Sequence, residues 1–141
     1  ATDPAFTDST QVLVKQPVEW AVGLMRALRV RPAHLPAHTA TALLTGLRNM
    51  GQVPFLPPSV GGWPAGPAWL TTSAGLARLR LAHQVAAHAD LSAVTGVDAV
   101  RDVLGVDEWT DRTRSALGAV AGSPKQLTAV AACAPEYVVS L

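Results

Sequence analysis

Between Gly51 and Pro67 the chain carries five prolines and four glycines within about 17 residues, a density that neither a helix nor a sheet interior tolerates. A structureless connection of that length inside a compact domain is usually a functional loop or a packed Ω-type loop. Pro57-Pro58 favours polyproline geometry, Gly61-Gly62 permits positive φ, and Pro64 pushes Trp63 to extended backbone. The segment 51–67 is therefore expected to be an ordered, stiff, irregular loop. Everything around it reads as helix.

The first helix is expected from Pro17 to Val30, with proline preorganised at the first helical position and Glu19 placed to reach back to a free backbone donor. Val18, Trp20, Val22, Leu24, Met25 and Leu28 leave only a narrow polar stripe, the pattern of a central helix. Arg26, Arg29 and Arg31 suit its negative end. A second helix is expected from about Pro36 to Met50, with Ala40, Leu43, Leu44, Leu47 and Met50 on one face and Gly51 as its stop. A third runs from Thr71 or Thr72 to about Ala89 on Ala74, Ala77, Leu81 and Val85, widened by Leu76 and Leu79. Arg78 and Arg80 diverge by about 200° on that helix, so one of them must face the protein more than the other.

Beyond Asp90 the elements shorten. Thr95-x-x-Asp98 has the form of a capping box for a helix ending at Gly105, Asp107 can cap a fifth helix stopped by Gly122, and Ser123-Pro124-Lys125-Gln126 opens a sixth. Pro135 breaks or kinks that helix, leaving Glu136 to Leu141 as a last turn or tail. No segment alternates with the period of two that a half-buried strand needs. The expected fold is all-α: one domain over 1–141, about six helices, and the long loop between the second and third.

Composition narrows the functional classes. Formal charge is +1, which gives no electrostatic case for nucleic acid. No apolar run reaches the length of about 18 residues that spans a bilayer. Charged residues make up 15% of the chain, against about 25% in an average soluble protein, so part of the exterior is expected to face another body. The opening Ala1-Thr2-Asp3-Pro4 reads as the start of a processed chain or of an excised piece.

Catalytic signatures are missing from the residue pattern. His34 and His38 are separated by Pro36, and His83 and His88 diverge by about 140° on a helix, so neither pair has metal-ligand spacing and no metal or cofactor is expected. Ser59-Val60-Gly61-Gly62 is not a nucleophile elbow, and Gly61-Gly62 leads into Trp-Pro instead of a phosphate-binding helix start. Cys133, the only cysteine, lies on an alanine-rich helical face and reads as a small buried thiol. Trp63 and Trp69, with Gln52 and Arg78, form the candidate ligand-binding set, because indoles give large contact area and an N–H donor for a sugar or peptide. The competing reading, favoured because a proline-rich loop needs apolar anchors, has both indoles plug the core beside Trp20. Glu19 and Arg78 are a candidate structural ion pair between the first and third helices.

Val14-Lys15-Gln16-Pro17-Val18-Glu19-Trp20 is followed in order by Gly51-Gln52-Val53-Pro54-Phe55-Leu56-Pro57-Pro58-Ser59-Val60-Gly61-Gly62-Trp63-Pro64. Then come Ala68-Trp69-Leu70, Leu76-Ala77-Arg78-Leu79, and Ala134-Pro135-Glu136-Tyr137. This succession resembles the C-terminal part of the bacterial proteins grouped as "domain of unknown function 1800". Gln16 and Ala134 stand where that family has capping serines. The resemblance implies a C-terminal lobe of a longer, often exported protein, with the N-terminal remainder as one partner and a second cell-envelope protein as another. It brings no catalytic residues. The expected function is a non-catalytic structural or interaction module. The alternative is an enzyme lobe, or a sugar- or peptide-binding module, acting on envelope polymers through the Trp63/Trp69 loop.

Overall fold

The computed structural model describes residues 13–50 and 72–140; the loop 51–67, with Gln52, Trp63 and the nearby Trp69, lies outside the described residues. Among those described, the chain is all-α, with seven helices: α1 (Pro17–Ala27), α2 (Ala37–Asn49), α3 (Thr72–Ala87), α4 (Val97–Leu104), α5 (Asp111–Gly118), α6 (Pro124–Ala132) and α7 (Pro135–Val138). A 3-10 turn occupies Pro32–His34, and β1 (Leu13–Val14) pairs antiparallel with β2 (Val139–Ser140), Leu13 opposite Ser140 and Val14 opposite Val139. The Lys15 N–H extends that ladder to the Val138 carbonyl at 2.9 Å. Residues 13–15, just before the first helix, are thus extended, held by a partner from the far end of the chain.

Proline at the first helical position opens α1, α6 and α7, as its fixed φ favours. Glu19 Oε2 accepts the Gln16 N–H at 3.4 Å, the reach-back expected of that carboxylate. The helix ends three residues before Val30. Arg29 adopts φ 57°, the Arg29 N–H bonds the Arg26 carbonyl, and the Val30 N–H bonds the Met25 carbonyl at 2.8 Å. That pair of bonds is a Schellman closure, here with arginine in the left-handed position that glycine usually holds.

Other expected caps shift. The N-cap of α4 is Gly96, and Asp98 pairs with Arg114 instead of closing a box with Thr95. Thr110, not Asp107, caps α5, its hydroxyl accepting the Thr113 N–H, and the helix stops at Gly118 instead of Gly122. Ser123 does cap α6, accepting the Gln126 N–H, and Gly105 does terminate α4 in the left-handed conformation, φ 72°. Pro135 starts a separate turn, α7, which is why the helix number exceeds six.

The hub is α3, which packs on α1, α2 and α6. Ala74, Ala77, Leu81 and Val85 are all buried along it. α1 was expected to be central, yet Val22 is 37% exposed, and Val18 and Met25 are only partly covered, because α1 packs chiefly on α3 and α4. Leu44 and Leu76, placed on core faces by periodicity, are 58% and 51% exposed. Leu24, Leu81, Leu117 and Leu127 are essentially fully buried, each contributing about 1.5–3 kcal/mol of hydrophobic stabilisation. Trp20 fastens α1 to the end of α6 through its indole N–H, which donates to the Ala132 carbonyl at 2.8 Å. Trp109 does the same between the α4–α5 link and the start of α4, donating to Val97 at 3.0 Å.

Candidate functional site

An open cleft of about 1340 Å³ lies between the N-terminal half of α3, the end of α4, α5, and the α6–α7 corner. Helical periodicity sets its walls. Gly75 and Leu79 line it from α3, Ala116 and Leu117 from α5, Val130 from α6 and Cys133 from the cap that ends α6, with Val139 also in the lining. These surfaces make the floor apolar. Polar groups gather at the rim: Lys15, Asp107, Glu108, Arg112 and Glu136.

Glu136 is the most tightly held of them. Its Oε1 accepts the Thr110 N–H at 3.0 Å and the Thr110 hydroxyl at 2.7 Å, while Oε2 accepts the Thr113 hydroxyl at 2.9 Å. Burial pushes the carboxyl upward, but the Thr110 and Thr113 donors together outweigh it, so the pKa falls below the ordinary value. The single-turn α7 is thereby pinned to the start of α5. Beside it Tyr137 is buried, and its phenol is pushed up to about 12 by desolvation. The Lys15 ammonium sits over the Tyr137 ring, 3.7 Å from its centroid. Burial lowers the Lys15 pKa, with the Glu19 charge acting in the opposite sense.

Cys133 lines the same cleft. Burial pushes its thiol up to about 11, against the pull of the Arg78 charge, so it stays protonated at neutral pH and is a poor nucleophile. Of the candidate ligand set, Trp63, Trp69 and Gln52 lie outside the described residues. Arg78 is on α3 and only 4% exposed, its guanidinium stacked 5.6 Å from the Trp20 ring centroid, while Arg80 is exposed. Desolvation lowers the Arg78 pKa, with Cys133 acting in the opposite sense. Glu19 lies exposed at the first turn of α1, its carboxylate directed to Gln16. Arg101 and Arg114 form exposed ion pairs with Asp98, Asp102 and Glu108, of which Arg114–Asp98 joins α5 to α4. Such pairs contribute little individually.

Sequence reasoning did not single out Glu136 or Lys15 as cleft residues. A signal was present, since both lie inside the stretches that carry the family resemblance. What was missing was the partner list: Thr110 and Thr113 are 26 and 23 residues away from Glu136. No group of three or more His, Cys, Asp or Glu side chains among the described residues is arranged to hold a metal ion, and no helix among them is long and apolar enough to cross a membrane.

A family model described as "Protein of unknown function (DUF1800)" matches residues 1–139. Neither a curated protein nor a solved structure matches the chain.

Proposed function

We propose for this chain, which belongs to the DUF1800 family of proteins of unknown function, the role of a non-catalytic interaction module within a larger, exported protein, with the cleft beside α5, α6 and α7 as its contact surface. The observation that carries this reading is the chemistry of the cleft. Its floor is apolar, its thiol and phenol are held protonated by burial, and the half-buried Glu136 carboxylate is already committed to three donors. These features favour holding a partner over making or breaking bonds, since a general base or nucleophile needs a pKa near the working pH and a free lone pair. The low charged fraction agrees with a surface that meets another body.

The partner we propose is the remainder of the longer parent chain that the family resemblance implies. Hydrogen exchange measured on this chain alone and within that parent is the test. The amides of α5, α6 and α7 are expected to gain protection in the parent. Ala116→Trp, at an exposed position on the cleft wall, is expected to remove the gain while leaving the fold intact. Equal exchange in the two forms, or a gain that survives the substitution, refutes the cleft as the contact surface. The alternative, an enzyme lobe or a sugar- or peptide-binding module working through Trp63 and Trp69, is separated by Trp63→Ala. A binding role loses affinity at unchanged melting temperature, whereas an anchoring role lowers the melting temperature by several degrees.

A further inference from the structure

The charges of this chain are segregated. From Trp20 to Ala89 there is no Asp or Glu, while the same stretch holds six arginines and all four histidines. Of the acids among the described residues, Glu19 precedes that stretch and the rest follow from Asp90 onward. Two of the helices built from it, α2 and α3, lie antiparallel: the Thr39 hydroxyl meets His88 Nε2 at 3.4 Å, and Gly46 lies opposite Leu81, whose Cδ1 would stand 3.0 Å from an added Cβ.

Along this pair runs a groove of two contiguous pockets, about 350 and 270 Å³, which share His38, Ala42 and Gln84. Arg80 lines one pocket. His83, His88 and Lys125 line the other, and His38 stands at the junction. Thr41, Thr45, Asn49 and Gln84 supply neutral polar groups, small alanines form much of the apolar surface, and among the described residues no carboxylate lines either pocket. The acid two residues beyond His88, Asp90, is turned to the Ser92 N–H at 3.0 Å. Arg80 and His88 are two helical turns apart, about 12 Å along α3. Among the described residues, the groove shares none with the cleft described above.

We propose that this groove binds an elongated anion carrying phosphate groups in a row. Arg80 and Lys125 engage phosphates at its two ends, and His38, His83 and His88 donate hydrogen bonds between them. The arginine fork matches the oxygens of a phosphate, and charge-assisted hydrogen bonds are the strong ones. An alanine floor offers no deep slot for a large apolar group, so recognition falls on the anionic groups themselves.

The test is a backbone-amide NMR titration of the chain with inorganic tripolyphosphate, and with inorganic phosphate, at constant ionic strength. Tripolyphosphate is expected to give saturable shifts confined to α2, α3 and the start of α6, with tighter binding than phosphate. Arg80→Gln and Lys125→Gln, both at exposed positions, are each expected to weaken it about tenfold, and His38→Gln to weaken it by a smaller factor. Melting temperature measured on each variant shows that the fold is retained. Shifts reproduced by sodium chloride, equal affinity for phosphate and tripolyphosphate, or unchanged affinity in the two charge variants would overturn the proposal.

Discussion

Replacing Trp20 by Phe tests the seam between α1 and α6 most directly. The indole is fully buried, and its N–H donates to the Ala132 carbonyl at 2.8 Å, at the last residue of α6. A carbonyl in that last turn has no partner within its own helix. Phenylalanine keeps a ring face toward the Arg78 guanidinium, so the cation–π contact, worth about 1–2 kcal/mol when desolvated, is largely retained. What goes is the N–H and part of the ring. Leaving a buried acceptor unsatisfied costs about 1–3 kcal/mol, and the volume lost between indole and phenyl adds on the order of 1 kcal/mol. The sum, about 2–4 kcal/mol, is a large share of the roughly 5–15 kcal/mol that holds a domain of this size. At about 3–4 °C per kcal/mol it lowers the melting temperature by roughly 7–15 °C, read by calorimetry or far-ultraviolet circular dichroism. A drop below about 3 °C would show that the indole N–H does not hold the seam.

Thr128 lies fully buried on α6, and its hydroxyl has no hydrogen-bond partner among the described residues; Thr128→Val, nearly isosteric, is expected to raise stability by about 1 kcal/mol in urea unfolding. Glu136→Gln turns an acceptor of three hydrogen bonds into a group that meets donors with its own amide N–H, and a loss of about 1–3 kcal/mol at neutral pH follows. Because the folded pKa of Glu136 is depressed, its contribution is present above the unfolded value of 4.5 and fades as pH falls below it, so wild type and variant are expected to converge in acid. On the alkaline side the sign reverses. Tyr137 rises from 10.0 to about 12 and Cys133 from 9.0 to about 11, so the unfolded state releases these protons first and stability declines between about pH 9 and 12. Tyr137→Phe and Cys133→Ala should each flatten that decline in a pH series of unfolding curves, and an unchanged slope in both would count against their burial. Lys15, whose pKa burial lowers, works in the opposite direction, its charged form being the one disfavoured in the fold.

How much of this was legible beforehand depends on how local the physics is. Pro17, Pro124 and Pro135 open helices because proline's φ and missing N–H act within a single residue, and Gly105 closes one for the same kind of reason. The ambiguous caps were settled by neighbours. Asp98 faced a choice between its own helix start and Arg114, and the arginine held it at 2.8 Å. Thr110 took the cap of α5 while Trp109 just before it was drawn inward to Val97. Periodicity placed Ala74, Ala77, Leu81 and Val85 in the core, and it showed that either Arg78 or Arg80 must face inward. The stacking of Arg78 on Trp20 chose which.

The amino-acid order by itself determined an all-α chain, its main helix starts, the apolar stripe of α3 and the family to which it belongs, because propensity, capping and periodicity act over a few residues. The tertiary structure alone decided that α3 and not α1 is the hub, that Leu44 and Leu76 stay exposed, and that Lys15 comes to lie over Tyr137 from the other end of the chain. It also decided that the cleft and the α2–α3 groove exist. Both are assembled from side chains on separate helices, whose approach is set by packing across the core, and no window of local sequence carries that information.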